Sequence, residues 1–300
     1  MSKSFDVEAF GDEMKMFERI YAGHQFIPNL PICIRLDGKG FSKYTSKLKR
    51  PFDETFSQIM KDVTKFLIQE TNAIVGYTQS DEISLILYSD DHKKEVYFNG
   101  KIQKLISVLA SMATAKFNEL AYKLLPQDKI PKLAFFDCRA WLMPNKEKAV
   151  DVLYWREIDA TKNSISMATR SVYKTSEMMN KKANEMKDML IQKGINWNEY
   201  PSSFKRGTYL QKRTELKTLT EEELNKIPKE HQPKGKIERS SVIELNLPPM
   251  SKIMNKVQVI FDKAEAINYL WKKRFYFRIS FFIIIINYKV IIWYNILLKF

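Results

Sequence analysis

Two adjacent acids, Asp81 and Glu82, interrupt a run of strand-forming residues: AIVGYT precedes them and ISLILY follows. Ionised carboxylates do not pack inside a sheet without cationic partners. The QSDE segment therefore reads as a turn at a sheet edge, either solvated or gathered into a metal site. The surrounding pattern brings a third acid to it. PICIRLDG is a strand with Ile32, Ile34 and Leu36 on one face and Cys33, Arg35 and Asp37 on the other, ending at Asp37. Asp53 can cap a helix running to about Glu70, with Phe56, Ile59, Met60, Val63, Phe66 and Leu67 at helical spacing. Strands Ala73–Thr78 and Ile83–Tyr88 follow, then a helix from about Lys101 to Leu125 and a fourth strand, Leu133–Trp141. This β-α-β-β-α-β order is ferredoxin-like. A right-handed crossover leaves a gap between strands one and two, which the third strand fills antiparallel to both. The end of strand one then lies beside the start of strand three, and Asp37 joins Asp81 and Glu82.

The expected fold class is α+β: a ferredoxin-like, polymerase-type palm over 1–145, with an added helical and mixed C-terminal part of the same catalytic unit over 146–273. KEKAVDVLYWREIDATKNSISMATRSVYK and SEMMNKKANEMKDMLIQKG are rich in helix formers, and Gly194 is a plausible stop. Trp197 to Pro233 reads as charged and loop-like with short helices. The remaining 274–300 form an aberrant tail, Arg274 and then FYFRISFFIIIINYKVIIWYNILLKF, interrupted by Arg278 and Lys289. Its residue types share A/T-rich codons. A translated intron or altered 3′ end is the favoured reading of it, over a membrane anchor or a packed C-terminal element.

Three carboxylates at one edge repel one another unless cations neutralise them. Mg²⁺ typically takes one or two carboxylates plus substrate phosphates, and two ions about 3.5–4 Å apart can clamp a phosphoryl displacement. Asp37 and Asp81 are the expected ligand pair, with Glu82 the weaker third. The loop GKGFSKYTSKLKRP fits a phosphate-bearing substrate: Gly38 and Gly40 allow close backbone approach, and Lys39, Lys43, Lys47, Lys49 and Arg50 crowd it. It is not a Walker A loop, and no nucleophile elbow appears.

Charge and cysteine usage narrow the setting. Lys plus Arg is 49 against 35 Asp plus Glu, a net charge of +14, which suggests a polyanionic partner. Apolar residues are 45% of the 300, enough for a sizeable core. Cys33 and Cys138 lie in apolar surroundings and favour a reducing compartment; no Cys/His spacing resembles a zinc site. The N-terminal MSKSFDVEAFGDEMKMFERI has neither a signal-peptide h-region nor a transit-peptide pattern, so a cytoplasmic location is expected, with mitochondrial as the alternative.

RLDGKGFSKY, KRPFD, YTQSDEISL and FFDCRAW with WREIDATKNS together resemble the tRNA-His guanylyltransferase superfamily, from about the N-terminus to Lys273. The resemblance implies a palm using two Mg²⁺ ions, with ATP, GTP and other nucleoside triphosphates as substrates. It also implies nucleotide addition to tRNA 5′ ends in the 3′–5′ direction, and a homo-oligomer, a tetramer. It assigns metal binding to Asp37, Asp81 and the Gly38 backbone, with Glu82 the neighbouring catalytic acid. Nucleotide contacts fall to Gly38, Lys39, Gly40, Phe41, Ser42, Arg50, Asp53 and Ser80, and more loosely to Lys101, Lys104 and Asn163. Arg139, Arg156, Lys174, Lys205 and Arg206, with Lys181 and Lys182, are the RNA-backbone candidates. The family's guanosine-adding eukaryotic members carry HINNLYN after WR-x-x-D; here TKNSISM stands there, with Thr161 in place of the histidine. This resembles the branch of like proteins that favours template-dependent repair of truncated tRNA 5′ ends. Rival readings are a nucleotidyl cyclase, separable by product formation without RNA, and an RNA-binding protein with a dormant palm.

Overall fold

The computed structural model describes residues 6–91, 94–130, 133–233 and 235–269; the apolar tail therefore lies outside the described residues. The helices are α1 (Val7–Ala22), α2 (Phe41–Tyr44), α3 (Glu54–Thr71), α4 (Ile102–Leu124), α5 (Lys146–Arg170), α6 (Thr175–Met178), α7 (Ala183–Gln192), α8 (Ser202–Arg206), α9 (Glu221–Asn225) and α10 (Lys256–Phe261). The strands are β1 (Ile32–Gly38), β2 (Val75–Gln79), β3 (Glu82–Leu87), β4 (Phe136–Leu142), β5 (Thr208–Thr218) and β6 (Lys236–Glu244). The chain divides into two compact units, Met1–Asn246 and Leu247–Phe300.

All six strands form one antiparallel sheet in the order β4-β1-β3-β2-β5-β6. β3 sits between β1 and β2 and pairs antiparallel with both. The register sets Asp37 opposite Glu82 on one side and Asp137 on the other. Directly opposed residues share a face, so one row of the sheet reads Asp137, Asp37, Glu82, Gln79. The next reads Arg139, Arg35, Ser84, Tyr77. The alternate positions Ile32, Ile34, Leu36, Ile83, Leu85 and Leu87 face the other way. They join Phe56, Ile59, Val63 and Leu67 of α3 and Leu105, Leu109 and Phe117 of α4 in the main core.

The C-terminal part of the first unit is not only helical. β5 continues the sheet from β2 through Thr208–Leu210, then pairs with β6 alone as far as Thr218. Tyr209, Leu210 and Gln211 are buried where the sheet continues. Beyond them the ribbon leaves the core, so its strands carry exposed charge and read from sequence as loop. The N-terminal helix also escaped notice, although Val7, Phe10, Met14, Phe17 and Tyr21 fall at helical spacing. Asp6 caps it, accepting from Glu8 and Ala9 N–H groups at 3.0 Å. In the second unit, an isolated bridge joins Ile253 to Asn268, and Asn255 Nδ2 donates to the Glu265 carbonyl at 2.8 Å.

Candidate active site

The turn between β2 and β3 holds two residues, Ser80 and Asp81, with Ser80 in the left-handed region at φ 52°. Such turns favour positive φ because it matches the strand twist. The Gly38 N–H donates to the Asp81 carbonyl at 3.1 Å, which ties the end of β1 to this turn. Acids 44 positions apart in sequence thus become neighbours.

The acids then separate by chemistry. Glu82 is occupied: Arg156 of α5 donates from Nε and Nη2 to its two oxygens at 2.6 and 2.7 Å, and Arg35 Nε lies 4.0 Å away. Arg156 also donates from Nη1 to Asp159 at 2.7 Å and lies 4.5 Å from the Trp155 ring centroid. Burial raises the Glu82 carboxyl above its ordinary value, and Arg156 pulls it back. Asp81 has no such cation. Burial pushes its pKa up to about 6, the Ser80 hydroxyl and its own N–H oppose this, and the charges of Asp37 and Glu82 add to it. Beneath the acids, the Tyr209 hydroxyl donates to Glu157 Oε2 at 3.0 Å and the Tyr77 hydroxyl to the Arg206 carbonyl at 2.7 Å. Burial holds both phenols well above their usual pKa.

The three acids meet at this edge, but Glu82 is committed to Arg156, and among the described residues no three His, Cys, Asp or Glu converge as a metal-holding group. Arg156 is no surface RNA contact, since its side chain is 11% exposed and both ends of its guanidinium are spent on carboxylates. The donor set that remains, Asp37 and Asp81, suits Mg²⁺. It offers hard oxygen ligands, with like charge between them and burial that a cation would relieve, and too few protein ligands to complete the shell without phosphates.

A cavity of about 280 Å³ opens beside Asp81. Phe41, Ser42, Arg50, Asp53 and Ser80 of the expected nucleotide contacts line it, with Lys49 and the expected metal ligand Asp81. Its aromatic wall comes from Phe41, Phe52, Phe56 and Phe204; Phe52 and Phe204 stack with centroids 4.7 Å apart. Asp53 also caps α3, accepting from Phe56 N–H at 3.0 Å. Gly40 takes φ 71° where the loop turns into α2. Gly38 is fixed by crowding: a Cβ there would lie 2.3 Å from the Phe41 ring. Sequence reading missed Thr45, Phe52, Met167, Arg170, Ser203, Phe204 and Thr208, which also line the cavity. Thr45 and Phe52 sit in the loop between α2 and α3, Phe52 inside the KRPFD segment; Met167, Arg170, Ser203, Phe204 and Thr208 come from α5, α8 and β5, where no local motif marks them.

Other candidates lie elsewhere. Lys101 and Lys104 line a second groove, between α1 and α4, with Lys15, Glu18 and Arg19. Asn163 is exposed on α5, one turn before Met167. Thr161 donates its hydroxyl to the Glu157 carbonyl at 2.9 Å, so it serves its own helix. Arg139 is 54% exposed beside Asp137 at 3.3 Å. Lys174 is exposed, and Lys205 donates from Nζ to the Asn198 carbonyl.

Comparison with known proteins gives a consistent set. The family model described as tRNAHis guanylyltransferase matches residues 11–144. An uncharacterized protein of Acanthamoeba polyphaga mimivirus is 31% identical over 229 residues, 68% of this chain and 77% of that one. A tRNA(His) guanylyltransferase of Neurospora crassa is 26% identical over 283 residues, 87% of this chain and 92% of its own. A bacterial tRNA(His) guanylyltransferase-like protein solved in complex with ATP aligns with a TM-score of 0.63 at 37% identity, covering 68% of this chain and 87% of that one. One solved in complex with GTP gives 0.65 at 32%, covering 81% and 94%.

Proposed function

The chain belongs to the tRNAHis guanylyltransferase family, whose members are nucleotidyltransferases, and from that premise we propose that it adds nucleotides to tRNA 5′ ends in the 3′–5′ direction on a polymerase-type palm. The observation that carries this reading is the carboxylate pair Asp37 and Asp81, with no cation on Asp81, and a cavity beside Asp81 lined by basic and aromatic groups. Asp37, Asp81 and the Gly38 backbone would hold Mg²⁺, which when bound neutralises triphosphate charge and lowers the pKa of an attacking hydroxyl. The aromatic wall takes up a nucleotide base, while Lys49, Arg50 and Arg170 offer charge to its phosphates. In the first step a tRNA 5′-monophosphate oxygen attacks the α-phosphorus of ATP and pyrophosphate leaves. In the second the 3′-hydroxyl of the incoming nucleotide attacks the activated 5′ phosphorus and AMP leaves. Such a displacement needs its reacting groups held in line, so positioning and charge would do most of the catalytic work. Asp37→Ala and Asp81→Ala should each abolish addition while tRNA binding persists. Full activity in both variants would remove the reading. Product from nucleotide alone, without RNA, would favour the cyclase.

The substrate we favour is a tRNA truncated at its 5′ end, extended by template. Thr161 stands where the guanosine-adding branch carries a histidine, and its hydroxyl is already bonded within α5. No ring is available there to stack on or charge a non-templated nucleotide. The test is the ratio of catalytic efficiencies on tRNA lacking its first nucleotide and on full-length tRNA-His. Strong preference for the latter, with guanosine added regardless of template, would overturn this choice and leave the chemistry standing.

A further inference from the structure

On the sheet edge away from the cavity, the polar face carries an aromatic ring that no part of the core requires. Phe135 is 53% exposed, while its neighbours Ala134 and Phe136 are 2% and 7% exposed. An exposed phenylalanine is usually mobile, but this one has a fixed backbone. Ala134 N donates to Asn118 Oδ1 at 2.8 Å, and Asn118 Nδ2 donates to the Ala134 carbonyl at 2.9 Å. Phe136 N donates to Thr114 Oγ1 at 3.1 Å. Lys39 N donates to the Phe135 carbonyl at 2.8 Å. That last bond sets Phe135 level with Lys39, two steps past the Asp37–Asp137 pair and one past Gly38–Phe136 in the register. Residues two apart on a strand share a face, so Phe135 stands with Asp137 and Arg139, beside Asp37. Lys39 is exposed. The carboxylate pair is thus flanked on one side by the cavity and on the other by an open strip bearing an exposed ring on a fixed backbone and a lysine.

We propose that Phe135 is the platform on which the 5′-terminal base of the RNA substrate stacks, with Lys39 at the adjoining phosphate; this rests on the 3′–5′ addition reading above. The physical case is that a ring on an already fixed backbone stacks a base at a reduced ordering cost, and stacking is indifferent to base identity. A template-dependent enzyme needs that indifference, because the terminal base differs from one tRNA to the next.

The probe is a tRNA carrying 2-aminopurine as its 5′-terminal base, titrated without ATP so that binding is read apart from catalysis. Stacking on Phe135 quenches its fluorescence. Phe135→Ala should abolish the quenching and raise KM for RNA roughly tenfold with KM for the incoming nucleotide unchanged. Phe135→Trp should restore both. Quenching by wild-type protein that survives in Phe135→Ala would overturn the proposal. So would dependence on Phe135 with free 2-aminopurine triphosphate in place of RNA. A changed sedimentation coefficient with unchanged quenching would assign the ring to contacts between copies instead. If no nucleotide is added to any tRNA but quenching follows Phe135, the activity reading fails and the platform stands.

Discussion

At the scale of single residues, the site is two carboxylates beside a third that one arginine neutralises. Arg156 and Glu82 are 11% and 12% exposed, and their pairing is bidentate. Removing one partner leaves a buried charge uncompensated, so Arg156→Met should cost about 3–5 kcal/mol in urea denaturation. Adding Glu82→Leu should recover most of that loss, and failure to recover would mean that Asp159 or Trp155 dominates. Asp81 behaves in the opposite way. Its folded pKa, raised to about 6, lies above the ordinary carboxylate value. The folded protein therefore binds the proton more tightly, and stability present below about pH 4 is lost as pH rises through 6. Asp81→Asn should leave the metal-free protein unchanged at pH 4 and stabilise it by roughly 1–3 kcal/mol above pH 7. Mg²⁺ at saturating concentration should erase the advantage. A pH-independent effect in thermal denaturation would contradict this account.

At the scale of elements, the loop between β1 and α3 is built around close packing. The Phe41 ring lies 5.0–6.0 Å, centroid to centroid, from Tyr44, Phe56, Phe117 and Phe136. Gly38→Ala would drive a Cβ into that ring, and an overpacked position costs typically about 1–3 kcal/mol. Displacing Phe41 would also deform the cavity, so nucleotide affinity should fall with stability; loss of neither would refute the packing argument. Asp53→Ala should cost about 1 kcal/mol through the lost cap of α3, measurable by chemical denaturation. These elements were legible in sequence because their signals are local: alternation in PICIRLDG, helical spacing after Asp53, paired acids between strands. β5 and β6 were not, because a ribbon without a core shows no apolar alternation. Met167, Arg170, Ser203 and Phe204 reach the cavity only through the packing of α5 and α8, and a composition of ordinary helix residues does not announce it. The pairing of Glu82 with Arg156 spans 74 positions and was likewise invisible.

At the scale of the whole molecule, the net charge of +14 is an electrostatic property of the surface, not of any one contact. If it serves tRNA binding, log affinity should fall linearly and steeply with log salt. Filter-binding or anisotropy titrations over a salt series would measure the slope, and a slope near zero would leave the basic composition without a nucleic-acid role. Among the described residues no helix is long and apolar enough to cross a membrane. The sheet itself has a history written into its order. β2 is covered on one side by β3, its next neighbour in the chain, but on the other by Thr208–Leu210 of β5. A ribosome working at about 5–20 residues per second exposes the unpaired side of β2 for roughly 6–26 seconds before the covering strand emerges. Through that interval the nascent chain presents an open strand edge, which is a template for misdirected pairing. Synthesis speed between β2 and β5 thus becomes a determinant of yield, and codon usage across that stretch can matter as much as the residues it encodes.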